Sequence, residues 1–67
     1  MRLKKRSFSL AGHRTSVALE EEFWAVINEN AARENKSLAA LVAQIDASRG
    51  ERALASALRL YALVHRS

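Results

Sequence analysis

Arg14, Ser16 and Ala18 take alternate positions in the run His13-Arg14-Thr15-Ser16-Val17-Ala18-Leu19. In an extended chain successive side chains point to opposite faces. Thr15, Val17 and Leu19 therefore share one face, and an arginine, a hydroxyl and a methyl share the other. Four further cations, Arg2, Lys4, Lys5 and Arg6, precede the run. Residues 1–19 hold five basic residues and no acid, whereas residues 20–67 hold six basic and seven acidic ones. The whole of the net charge of +4 thus lies in the first part of the chain. That one-sided distribution is the electrostatic footprint of a polyanion-binding surface. A solubilising or disordered basic tail gives the same count.

These residues need a scaffold. Residues 1–7 read as a flexible basic arm, followed by a brief alternation at Phe8 and Leu10. Counted in twos from Leu19, an unbroken strand would place Phe8 and Leu10 on the polar Arg14 and Ser16 face. The register is therefore expected to break at Gly12, so that both pack on protein. Everything after Leu19 reads helical. A first helix spans about Glu20 to Glu34, with three acids at the positive end of its dipole and an apolar stripe of Phe23, Trp24, Val26, Ile27 and Ala31. Asn30 falls in that stripe and reads as a satisfied polar core residue. Asn35-Lys36-Ser37 breaks the helix, and Ser37 caps a second one carrying Leu38, Leu41, Val42 and Ile45. That helix stops near Arg49-Gly50, and a third, apolar over much of its girth, runs from about Glu51 to His65. The fold class is mainly α with one short strand. No internal repeat stands out. A lone strand leaves its backbone donors and acceptors unmet, and a second copy of the chain is the simplest partner.

The composition narrows the function. A chain of 67 residues is one small domain, of a size that generally needs extra support. There is no cysteine, which excludes disulfides and thiolate metal sites. His13 and His65 have no ligand-like spacing to an acid, so neither a metal nor another cofactor is expected. The only glycines are Gly12 and Gly50, which rules out a glycine-rich phosphate loop, and no nucleophile and base are arranged for catalysis. The chain reads as a non-enzyme. Ser7 to Gly12 is too short and polar for a signal-peptide apolar region, and Leu38 to Ala43 falls far short of the ~20 residues that cross a bilayer. A cytoplasmic location without membrane contact is the expectation.

Strand, helix, short turn and serine-capped helix together resemble the ribbon-helix-helix DNA-binding family, of the Arc and methionine-repressor type. The likeness covers residues 13 to about 49. Gly12-His13-Arg14-Thr15-Ser16-Val17, Leu19-Glu20, Phe23-Trp24, Ser37-Leu38 and Leu41-Val42 through Ile45-Asp46 look like a subgroup of small bacterial transcriptional regulators. The resemblance implies an intertwined homodimer whose two strands pair antiparallel and enter the major groove. Arg14, Ser16 and Ala18 then read bases. Ser37 and Leu38, at the second helix N-terminus, hold a phosphate with Lys36 beside them. The shared dimer core falls to Val17, Leu19, Phe23, Trp24, Ile27, Leu41, Val42 and Ile45. The domain layout is a basic arm over 1–12 with a bend at Gly12, the ribbon-helix-helix unit over 13–49, and an added C-terminal helix over 50–67. The chain departs from the common pattern at Asn35, where glycine is frequent, at the small apolar Ala18, and in that added helix.

The chemistry agrees with the resemblance. A β-ribbon fits the major groove, arginine can bond guanine O6 and N7 together, serine can donate or accept, and alanine packs on a thymine methyl. A helix N-terminus suits a phosphate. Arg2, Lys4, Lys5 and Arg6 would add salt-sensitive backbone contacts, and His13 flanks the ribbon for a phosphate contact or a structural role. The leading expectation is a sequence-specific regulator of double-stranded DNA, a repressor, acting as a homodimer or a higher assembly on DNA. The competing one is an antitoxin-like interaction module that binds a partner protein through residues 51–66. Non-specific nucleic-acid binding through the basic arm is a third.

Overall fold

A computed structural model describes residues 2–66. Two strands, β1 (Leu3–Leu10) and β2 (His13–Glu20), are followed by α1 (Glu21–Arg33), α2 (Leu38–Ser48) and α3 (Leu54–His65). The strands form an antiparallel pair in register from Leu3 opposite Glu20 to Leu10 opposite His13. One expectation is thereby corrected: residues 3–10 form a strand paired with β2, where a flexible arm over 1–7 and a single strand were expected. The reason is the two-residue link. Ala11 and Gly12 both have positive φ, 51° and 84°, the signature of the tight turn whose twist matches two paired strands. The turn also makes the expected register break. Phe8 and Leu10 cross to the face of Val17 and Leu19, and all four are buried.

Alanine is a poor choice for a left-handed position, which costs an L-residue with a Cβ about 1–2 kcal/mol. Asn tolerates that conformation and pairs with Gly in the preferred turn. Ala11→Asn is expected to raise stability by about 0.5–1 kcal/mol, read as a higher urea midpoint with an unchanged slope. No gain would mean that the hairpin does not hold this turn in solution.

The helices close over the inner face of the hairpin. Leu19, Ile27, Leu41, Val42 and Leu58 are fully buried at the centre. Trp24 ties β1 to α1: its indole Nε1 donates to the Lys4 carbonyl at 2.8 Å, its ring lies 5.9 Å from Phe8, and the Arg6 guanidinium sits 5.7 Å above it. Val17, Leu19, Trp24, Ile27, Leu41, Val42 and Ile45 are each at most 7% exposed within one chain, and only Phe23 is left half-buried. These residues lie in the core cluster of the chain, where Phe8 and Leu10 of β1 and Ala57, Leu58 and Ala62 of α3 join them.

The helix ends follow local chemistry. Ser37 caps α2, its Oγ accepting from the Ala40 amide at 3.0 Å. Asn35 takes the left-handed φ of 59° that ends α1. Asn30 is buried and satisfied: its side-chain amide donates to the carbonyls of Val26 at 2.9 Å and His65 at 3.3 Å. The third helix begins at Leu54, later than Glu51, because Gly50 at φ 63° turns the chain and residues 51–53 remain outside regular structure.

Candidate nucleic-acid interface

The outer face of the hairpin follows from its register. Lys5 lies opposite Ala18, Ser7 opposite Ser16, and Ser9 opposite Arg14. Opposed residues of an antiparallel pair share a face, so these six form one surface, and all six are exposed. The two central hydroxyls touch, Ser7 Oγ to Ser16 Oγ, at 3.0 Å. No acid lies among the six. Arg14, Ser16 and Ala18 are thus brought together on one solvent-facing ribbon. Lys5 joins them there instead of on a trailing arm, and Ser7 and Ser9 enter the surface without having been singled out. Their alternation with Phe8 and Leu10 was the signal.

The other candidates are scattered. Arg2, Lys4 and His13 are exposed, His13 at the closed end of the hairpin and Arg2 at its open end, where its carbonyl accepts from the Glu21 amide at 3.4 Å. Arg6 is half-buried over Trp24 on the inner face and is engaged with protein. Ser37 and the half-buried Leu38 stand at the start of α2. There the amides of the first turn have no acceptor inside the helix, save the one that Ser37 takes. Lys36 is held by Glu34 at 3.0 Å and also meets the Gln44 side chain. That hydrogen bond and charge hold the Glu34 carboxyl below its ordinary value.

Four cations of the helical side, Lys36 among them, are paired with acids. On the helical side Arg33 pairs with Glu29 at 3.2 Å, Arg49 with Asp46 at 2.6 Å, and Arg59 with Glu20 at 3.0 Å. Lys5 and Arg14 have no acid opposite them on the ribbon. Glu20, where β2 ends, is tied to α3: the Arg59 guanidinium hydrogen-bonds its carboxylate and holds the carboxyl below its ordinary value of 4.5. A carboxyl lowered in the folded state stabilises above its unfolded pKa, and that contribution is lost as pH falls through the lowered folded value. Glu20→Gln is therefore expected to lower the melting temperature at neutral pH and to leave it unchanged at pH 2. A penalty that persists at pH 2 would assign the effect to packing.

Among the described residues no group of three or more His, Cys, Asp or Glu is placed to hold a metal, and no helix is long and apolar enough to cross a membrane. The face is instead a narrow two-stranded ribbon with cations at both ends and hydroxyls at its centre, a shape and chemistry that suit the major groove of double-stranded DNA. Neither a curated protein nor a solved structure matches the chain. The family model of the ribbon-helix-helix domain matches residues 3–66, taking in β1 and α3 as well as the strand and two helices between them, and the chain belongs to that family.

Proposed function

We propose that the protein is a sequence-specific binder of double-stranded DNA and acts as a transcriptional repressor. One observation carries this reading: the ribbon cations Lys5 and Arg14 are exposed with no acid directly opposite them, whereas four of the helical-side cations are each paired with one. Arg14, Ser16 and Ala18 read base edges from β2, and the first turn of α2 at Ser37 and Leu38 receives a phosphate. Arg2, Lys4 and His13 add contacts to the backbone that fix register without reading sequence. Two chains acting together, in a bacterial cytoplasm, would set two ribbons along one duplex. The test is selection of binding sites from a random duplex library at near-physiological salt. An enriched short motif is the expected result; a chain that retains no duplex is not a DNA-binding protein.

A second reading is favoured by the surface of α3. Leu60, Leu63 and Val64 are 44%, 53% and 68% exposed. Leu60 and Val64 line a groove of about 340 Å³ with Ile45, Ala57 and Tyr61. An exposed apolar strip of this kind suits protein contact, as an antitoxin-like module would need. Sedimentation of the wild type and of Leu63→Lys separates the cases. A dimer that the substitution dissolves assigns the strip to self-association, and a monomer in both leaves it for another protein.

A further inference from the structure

Lys4 and Arg6 alternate with Lys5 and Ser7 along β1, so they lie on the face turned away from the exposed ribbon surface. There they border a cleft of about 180 Å³ between β1 and α1. Its other wall is one row of α1, Glu21, Ala25 and Asn28, at helical steps of four and three. The buried Trp24 completes the lining. Trp24 also fixes the strand side of the cleft, since its indole Nε1 donates to the Lys4 carbonyl and its ring lies under the Arg6 guanidinium. Arg6 Nε is nevertheless buried with no hydrogen-bond partner. Native folds rarely leave such a donor unmet, and a ligand oxygen is one way to meet it. Among the described residues neither Lys4 nor Arg6 forms an ion pair, although Glu21 shares the cleft.

We propose that this cleft binds a small free oxyanion, a carboxylate or a phosphate, and that its occupancy loosens the hold on DNA. Two cations against the single acid Glu21 leave the lining at +1, the complement of one negative charge. A guanidinium offers paired N–H donors that match carboxylate and phosphate oxygens. Lys4 adds a second cation, and the Asn28 amide is a further donor. Size selects the ligand as well. A water takes roughly 30 Å³ of the liquid, so the cleft has the room of about six waters. That suits an anion of a few heavy atoms and excludes a nucleotide. The second half of the proposal rests on the ribbon being the DNA-binding surface. Lys4 is a backbone contact in that reading, and an anion in the cleft claims its ammonium. It also sets negative charge beside Arg6, the neighbour in sequence of Lys5 and Ser7 on the ribbon. DNA binding then loses about one phosphate contact. The DNA backbone bears the same oxyanion chemistry, so the two anions compete for Lys4, while half-buried Arg6 on the inner face serves the free one.

Trp24 is the sole tryptophan, so its indole N–H gives one resolved NMR signal at the cleft. The experiment titrates the full chain without DNA, once with sodium phosphate and once with sodium acetate, with sodium chloride holding the ionic strength constant. The signals followed are the Trp24 Nε1–H and the Arg6 Nε–H, in the wild type, Arg6→Gln and Asn28→Asp. Expected is a saturable shift with at least one of the two anions at about 1 mM or below, and none with chloride. Asn28→Asp, at an exposed position and of nearly unchanged size, lays a carboxylate into the cleft and should weaken the anion roughly ten-fold or more. Anisotropy on the selected duplex then compares each protein with and without the anion. The saturated wild type should show a salt slope reduced by about 0.9, as Lys4→Ala does, and Asn28→Asp should not respond. Shifts that chloride reproduces, or that survive unchanged in both variants, would overturn the site. Saturable binding with unaltered DNA affinity would overturn the regulation and leave the site standing. A wild type that retains no duplex would reject the DNA reading, and the titration without DNA would still decide the cleft.

Discussion

Leu58→Ala is expected to remove 2–5 kcal/mol, the usual range for emptying a leucine site in a close-packed core. Leu58 is 0% exposed at the centre of α3, with Ala57 and Ala62 of the same helix beside it in the core. Small domains of this size hold roughly 3–10 kcal/mol in total, so the variant should lose much of its stability at 25 °C. A chain ending at Gly50 should not fold at all. It would lose those core residues together with the Arg59 partner of Glu20 and the His65 carbonyl that satisfies buried Asn30. Leu63→Ala on the same helix, at a site 53% exposed, should change stability by no more than about 0.5 kcal/mol. Urea titration followed by Trp24 fluorescence measures all three. A Leu58→Ala loss below about 1 kcal/mol, or a folded 1–50 chain, would show that α3 is dispensable.

That prediction reverses the standing of the third helix, and the reversal shows what the sequence could carry. Periodicity placed all three helices, Asn35 and Ser37 marked the break between the first two, and the parity of Phe8 and Leu10 against Val17 demanded a turn at Gly12. Each signal is local. What β1 would do was hidden by its charge: Lys4, Lys5 and Arg6 are ordinary residues for a tail, and Ala11-Gly12 lacks the asparagine or aspartate that usually announces a two-residue hairpin. Without β1 the second strand had no partner in its own chain. Arg6 and Lys36 mark the same limit for single side chains. Their types suit a phosphate, and only the fold sets one over Trp24 and the other between Glu34 and Gln44.

Arg14→Ala is expected to weaken binding to the selected duplex by about 1–3 kcal/mol, some five- to 150-fold, and binding to random duplex far less. Arg14 is singled out by three features together. It is exposed on the ribbon, it faces the neutral Ser9 across the pair, and its fork can satisfy two acceptors of one guanine at once. Its loss should therefore relax the sequence preference of binding. Lys4→Ala supplies the contrast. The Lys4 side chain is exposed, and its structural contact is made by its backbone carbonyl, which the substitution keeps. A cation that meets only phosphate should cost the same on every sequence and reduce the slope of log affinity against log salt by about 0.9. Fluorescence anisotropy on selected and random duplexes at several salt concentrations separates the two behaviours. If Arg14→Ala weakens both duplexes equally and lowers the salt slope as Lys4→Ala does, the guanidinium is a phosphate contact. Specificity would then have to come from DNA shape rather than from base edges.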